Sequence, residues 1–127
     1  MNVVVWRSAG QTFATPTNQV VEVISIVEAR PLPQVPQWVR GLMNYRGRLI
    51  ELLDMSLRLG NTPCETRMAS RILVVHAGAG DDSGGKLIGL LVEELLGSQN
   101  LDFADRSGHA GLSPEEIEFL KTPGSSF

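Results

Sequence analysis

Three side chains of this sequence are of the types that build a nucleophilic centre: Cys64, His76 and Asp54. A thiol attacks only when a base ionises it and a third group orients that base, and the three need only meet in space. The local sequence gives no further support. Cys64 follows Pro63 in a polar stretch without a glycine-rich elbow, so a small cysteine-dependent hydrolase or thiol enzyme is the minor reading. "GDDSGGK", Gly80 to Lys86, has the glycine–lysine spacing of a phosphate-cradling loop, yet Leu87 stands where a magnesium-binding hydroxyl belongs. Asp81 and Asp82 would also repel phosphate, and strand-like "LIGLLV" follows where a helix N-terminus is required. The same acidic pair lacks the alternating ligands and distal glutamate of a calcium loop. His76 and His109 are isolated imidazoles without a nearby cysteine or acidic partner, a poor metal set.

A different kind of chemistry sits in "GLMNYRGRLIELLD", Gly41 to Asp54, where Asn44 and Arg46 interrupt two apolar runs. A planar guanidinium at a tight hairpin either forms a fixed ion pair with a nearby carboxylate or presents its donors to a partner, and the two roles are compatible. This is recognition chemistry rather than catalysis.

The 127 residues are 43% hydrophobic and 20% charged, an ordinary globular composition and one domain by length. A net charge of −3, with the arginines scattered, disfavours a nucleic-acid footprint. Nine of the eleven basic residues are arginine, the cation better suited to protein interfaces. One cysteine allows no internal disulfide or cysteine-based metal cluster, which fits a reducing, cytoplasmic setting. No export signal is evident, and no stretch approaches the roughly 20 apolar residues of a membrane span.

Hairpins are the elements that must position Asn44 and Arg46. "VVVW", Val3 to Trp6, turning at Gly10 toward Phe13, predicts the first of them. A short capped turn at Thr17 or Asn18 leads into a strand over about Ile24 to Ala29. Pro31, Pro33 and Pro36 then exclude a regular ladder, and Pro36 with Gly41 frames one helical turn over Gln37 to Arg40. "LMNYRGRLIELLDM" predicts two strands joined at Arg46-Gly47, with Asp54 starting a polar turn that closes at Gly60. After a loop over Asn61 to Ser70, "RILVVHA" and "KLIGLLVEELLG" predict a long hairpin. "SPEEIEFLK" opens on a capping box at Ser113 and predicts a short helix over about 113 to 121. Trp6 and Trp38 are assigned to the core.

The run from Ile26 to Gly60 resembles the CheW-like domain family, the adaptor modules of bacterial chemotaxis-type signalling. The marks are a Val-or-Ile-x-Glu strand end at Ile26 and Glu28, a proline-rich connector, Gly41, Asn44, Arg46 and Gly47 in Gly-x-x-Asn-x-Arg-Gly, and Asp54 followed by Met55. "RILVV" followed by "IGLLVEELLG" is a second match, and together they span about residues 20 to 100.

The resemblance implies an all-β fold of two five-stranded, SH3-like barrel lobes, lobe 1 about 1–60 and lobe 2 about 68–104, with an apolar groove between them. It implies no catalysis and no cofactor. The implied partners are the cytoplasmic tip of a chemoreceptor and the regulatory domain of a CheA-type histidine kinase. Ile26, Gly41 and Gly47 match positions associated with receptor contact, Asn44 completes the motif, and Glu28 is expected to pair with Arg46. Glu51 stands where the family usually has proline. The family also continues past "EEIEFLK" into a further strand, whereas this sequence stops at "TPGSSF", which predicts an open barrel edge and self-association through it.

Overall fold

In the computed structural model, the described residues are 1–77 and 86–100. They form eight strands in two sheets with one short α-helix. β1 (Asn2–Ser8) and β2 (Gln11–Pro16) make the expected first hairpin, turned by Ala9 and Gly10 with φ of 54° and 73°. Positive φ at both central residues gives the turn the twist that strands require. A 3₁₀ turn at Thr17–Gln19 leads into β3 (Val20–Ile24). Neither Thr17 nor Asn18 caps that turn with its side chain, and the strand expected over Ile24 to Ala29 is corrected to one that ends at Ile24, because the β6 residues that pair with it face Val20 to Ile24.

Val39 opens β4 (Val39–Tyr45), so the helical turn expected over Gln37 to Arg40 is corrected to a tight turn, closed by a 3.0 Å hydrogen bond from the Val39 amide to the Pro36 carbonyl. The backbone of Leu42 pairs in both directions with Arg30, while Val39 and Gly41 pair with Leu53 and Leu52 of the next strand. β4 and β5 (Arg48–Asp54) form the predicted hairpin across Arg46 and Gly47, with φ of 51° and 85°. The Gly47 amide donates to the Asn44 side-chain oxygen at 2.9 Å. α1 (Met55–Gly60) follows β5 directly.

β6 (Arg71–His76) and β7 (Leu87–Val92) pair antiparallel, as expected. The apolar run does not continue as one strand, however, because β8 (Glu94–Asn100) leaves for the other sheet. Two buried serines explain the break. Ser8 Oγ accepts the Glu93 amide at 3.0 Å, and Ser70 Oγ donates to the Glu93 carbonyl at 2.7 Å, so both backbone groups are satisfied outside a ladder.

The sheets have the orders β2-β1-β8 and β3-β6-β7-β5-β4, with β5 and β7 parallel. Each draws strands from both sides of the loop over residues 61–70, so strands early and late in sequence are neighbours in space. Trp6, Phe13, Leu53, Leu73 and Leu90 belong to one core cluster, which joins residues of both sheets. Trp6 is fully buried, stacks on Phe13 at 4.9 Å and donates its indole N–H to Thr15 Oγ1 at 3.0 Å. Met43, Leu52, Ile72, Val74 and Leu91 form a second cluster. With apolar residues in both clusters, β6 and β7 read as nearly continuous apolar runs. The helix expected over 113–121, the predicted C-terminal edge, the Gly80 to Lys86 loop and His109 lie wholly or largely outside the described residues.

Candidate functional site

β3 and β4 are opposite edges of the five-stranded sheet, yet they meet. One Glu22 oxygen, Oε1, accepts the Tyr45 hydroxyl at 2.6 Å and two donors of Arg46, Nη2 at 2.8 Å and Nε at 3.1 Å. The Arg46 guanidinium also lies 5.5 Å from the centre of the Tyr45 ring. The expected pairing of Arg46 with Glu28 is therefore corrected: its carboxylate is Glu22. The Val-or-Ile-x-Glu pattern occurs at Val20 to Glu22 and at Ile26 to Glu28, both ahead of the proline-rich connector, and again at Val92 to Glu94; pattern alone cannot choose between the first two. The sheet chooses, because Glu22 is on β3 and directed by a bulge at Val21, whereas Glu28 has already left the ladder.

The hydrogen bonds from Tyr45 and then Arg46 hold the Glu22 carboxyl below its ordinary pKa, and the same Glu22 contact raises that of the Tyr45 phenol. A carboxylate with a depressed folded-state pKa contributes stability above its unfolded value and loses it as pH falls through the folded one. Between about pH 5 and about pH 3 the wild type is expected to lose more stability than Glu22→Gln, whose amide does not titrate. Urea midpoints across that range measure this, and equal acid slopes would remove Glu22 as a contributor.

The other end of the same seam is the Arg30–Leu42 backbone pair. Between the two contacts the chain takes eight residue steps from 22 to 30, against four from 42 to 46, or about 26 Å of extended chain against about 13 Å. The excess bows outward and forms a groove of about 360 Å³. Ile26 and Val27, both well exposed, line it from the bowed segment, and the buried Leu52 and Leu91 line it from β5 and β7. Glu28 and Arg40 contribute its charges.

Arg40 occupies the β4 bulge, the extra residue between the Val39–Leu53 and Gly41–Leu52 pairs. Its Nη2 and Nε reach Oδ2 of Asp54 at 3.2 and 3.3 Å. Asp54 is completely buried at the end of β5 and also caps α1, accepting the Leu57 amide on Oδ1 at 3.0 Å. Oδ2 accepts the Cys64 amide at 3.1 Å as well, tying the following loop to the same carboxylate. The roles of Arg40, Glu22 and Tyr45 were not apparent from the sequence; the second Val-x-Glu pattern was the one signal for Glu22.

Gly41 has a φ of 135°, and a Cβ there would overlap the Arg30 carbonyl oxygen. Gly47, with φ of 85°, faces open space, so its requirement is conformational alone. Thus the structure brings Asn44, Arg46 and Gly47 together at the hairpin, sets Ile26 and Glu28 on the groove, and uses Gly41 for close backbone approach.

The thiol reading gains nothing. Burial, reinforced by the Asp54 charge, pushes the Cys64 thiol up to about 11, away from the thiolate that a nucleophile requires. Among the described residues no group of three or more His, Cys, Asp or Glu side chains could hold a metal, and no helix is long and apolar enough to cross a membrane.

The CheW-like domain family matches residues 2–121, nearly the whole sequence. The chain belongs to the CheW-like domain family. This CheW-like domain is 34% identical over 95 residues to Protein PilI of Pseudomonas aeruginosa, a match covering 75% of the chain and 50% of PilI. To Chemotaxis protein CheW of Rhizobium meliloti it is 29% identical over 103 residues, covering 81% and 61%. The chain thus spans about half to three-fifths of the length of these relatives. The crystal structure of scaffolding protein TtCheW from Thermoanaerobacter tengcongensis superposes with a TM-score of 0.70 at 23% identity, covering 88% of this chain and 69% of that one. The likeness establishes a CheW fold for the β-rich domain described above.

Proposed function

We propose that this CheW-like domain is a non-catalytic cytoplasmic adaptor that couples a chemoreceptor tip to a CheA-type histidine kinase through protein–protein contacts. The observation that carries the reading is the family match over residues 2–121, on a domain that presents an apolar groove beside an exposed arginine hairpin. Ile26, Glu28, Gly41, Asn44, Arg46 and Gly47 form or support the binding face, with Glu22 bracing it. Val20 takes the motif position first given to Ile26, because the glutamate that pairs lies two residues after it. Coupling of this kind needs no cofactor. It needs contacts that differ in free energy between receptor states, since an adaptor that binds both states equally transmits nothing.

The test is co-purification of the chain with a soluble receptor-tip fragment and with the kinase regulatory domain from the same genome, followed by a kinase assay on the reconstituted complex. Binding to both, with kinase output that depends on the adaptor, is expected. Binding to neither overturns the reading.

A further inference from the structure

The groove is lined by the buried Leu52 and Leu91, by the exposed Ile26 and Val27, and by two charged residues, Glu28 and Arg40, both with capacity to spare. Arg40 directs Nε and Nη2 to one Asp54 oxygen, while its Nη1 has no partner among the described residues; the side chain remains 42% exposed. Glu28 is exposed and likewise makes no ion pair among the described residues. A purely apolar occupant resting on Leu52, Leu91, Ile26 and Val27 would strip water from a guanidinium edge and a carboxylate without replacing the lost hydrogen bonds. That desolvation is expensive, and it works against the gain from apolar burial. An occupant that supplies an acceptor to Arg40 and a donor to Glu28 avoids the penalty and gains charge-assisted hydrogen bonds.

We propose that the groove selects a segment of the receptor tip in which an apolar side chain is flanked by one acidic and one basic residue, the acid meeting Arg40 and the base meeting Glu28. The inference rests on the adaptor reading and adds the chemistry of its ligand. Charge complementarity then supplies discrimination, because a segment with the two charges exchanged faces like charge at both ends.

Calorimetric titration of the full chain with a soluble receptor-tip fragment tests this, using Glu28→Lys and Arg40→Gln. The Glu28→Lys variant is the decisive one, since Arg40→Gln also removes a partner of Asp54 and has to be accompanied by a melting curve. Expected are a loss of at least tenfold in affinity for Glu28→Lys, recovery when one basic residue of the tip is reversed to glutamate, and weakening of wild-type binding as salt is raised. Wild-type affinity within twofold for Glu28→Lys, in a complex that still forms, overturns the proposal and leaves the adaptor reading standing. Absence of wild-type binding to both receptor and kinase fragments overturns the adaptor reading and this inference with it.

Discussion

Replacing Asp54 by alanine is expected to lower stability by about 3 kcal/mol or more, because three separate elements lose their common acceptor at once. The Leu57 amide loses the α1 cap, the Cys64 amide is left without its bond, and Arg40 is left without its carboxylate. Asp54→Asn separates these contributions. Its amide oxygen can still accept the Leu57 amide, so the helix start survives while the ion pair does not. Urea unfolding with a constant m-value reads both losses, and the order Ala below Asn below wild type is expected. An Asp54→Ala protein as stable as wild type would mean that water replaces the carboxylate at no net cost, against its complete burial.

Gly41→Ala is the second large effect. The added Cβ meets the Arg30 carbonyl oxygen and comes within 2.9 Å of Pro31 Cα, both backbone atoms that no rotamer change can move aside. The seam between Arg30 and Leu42 has to open, at an expected loss of about 3 kcal/mol or more, and the groove formed by the bowed segment opens with it. Gly47→Ala offers the contrast, for there the methyl meets nothing and only the left-handed backbone is disfavoured, a loss of about 1 kcal/mol. Comparing the two in equilibrium unfolding separates steric exclusion from conformational preference. Equal, small losses would show that the chain relaxes around Gly41. On the proposed adaptor role, affinity for the receptor tip is expected to follow the same order, since a position that shapes the groove alters recognition without touching the ligand.

Much of this domain is legible locally. Alternating and continuous apolar runs located β1, β2, β4, β5, β6 and β7, and the Arg46-Gly47 turn was recognisable because glycine tolerates the positive φ that a tight hairpin imposes. Misplacements arose where a distant partner overruled local preference. The proline and glycine flanking Gln37 to Arg40 favour a helical turn, but pairing of Val39 with Leu53 on β5 makes it a strand start. "LIGLLVEELLG" looks like one strand, but Ser8 and Ser70 engage Glu93 from elsewhere in the chain and divide it between two sheets.

Sequence by itself determined that this is a β-rich domain with a conformationally demanding hairpin at Arg46, because composition, apolar patterning and turn chemistry are properties of neighbouring residues. Tertiary structure alone decided which glutamate Arg46 holds. Two Val-or-Ile-x-Glu patterns six residues apart are chemically equivalent on paper, and only the curvature that brings β3 to β4, together with the bulge at Val21, delivers Glu22 to the arginine. Glu28, displaced onto the bowed segment, is left lining the groove without an ion pair among the described residues.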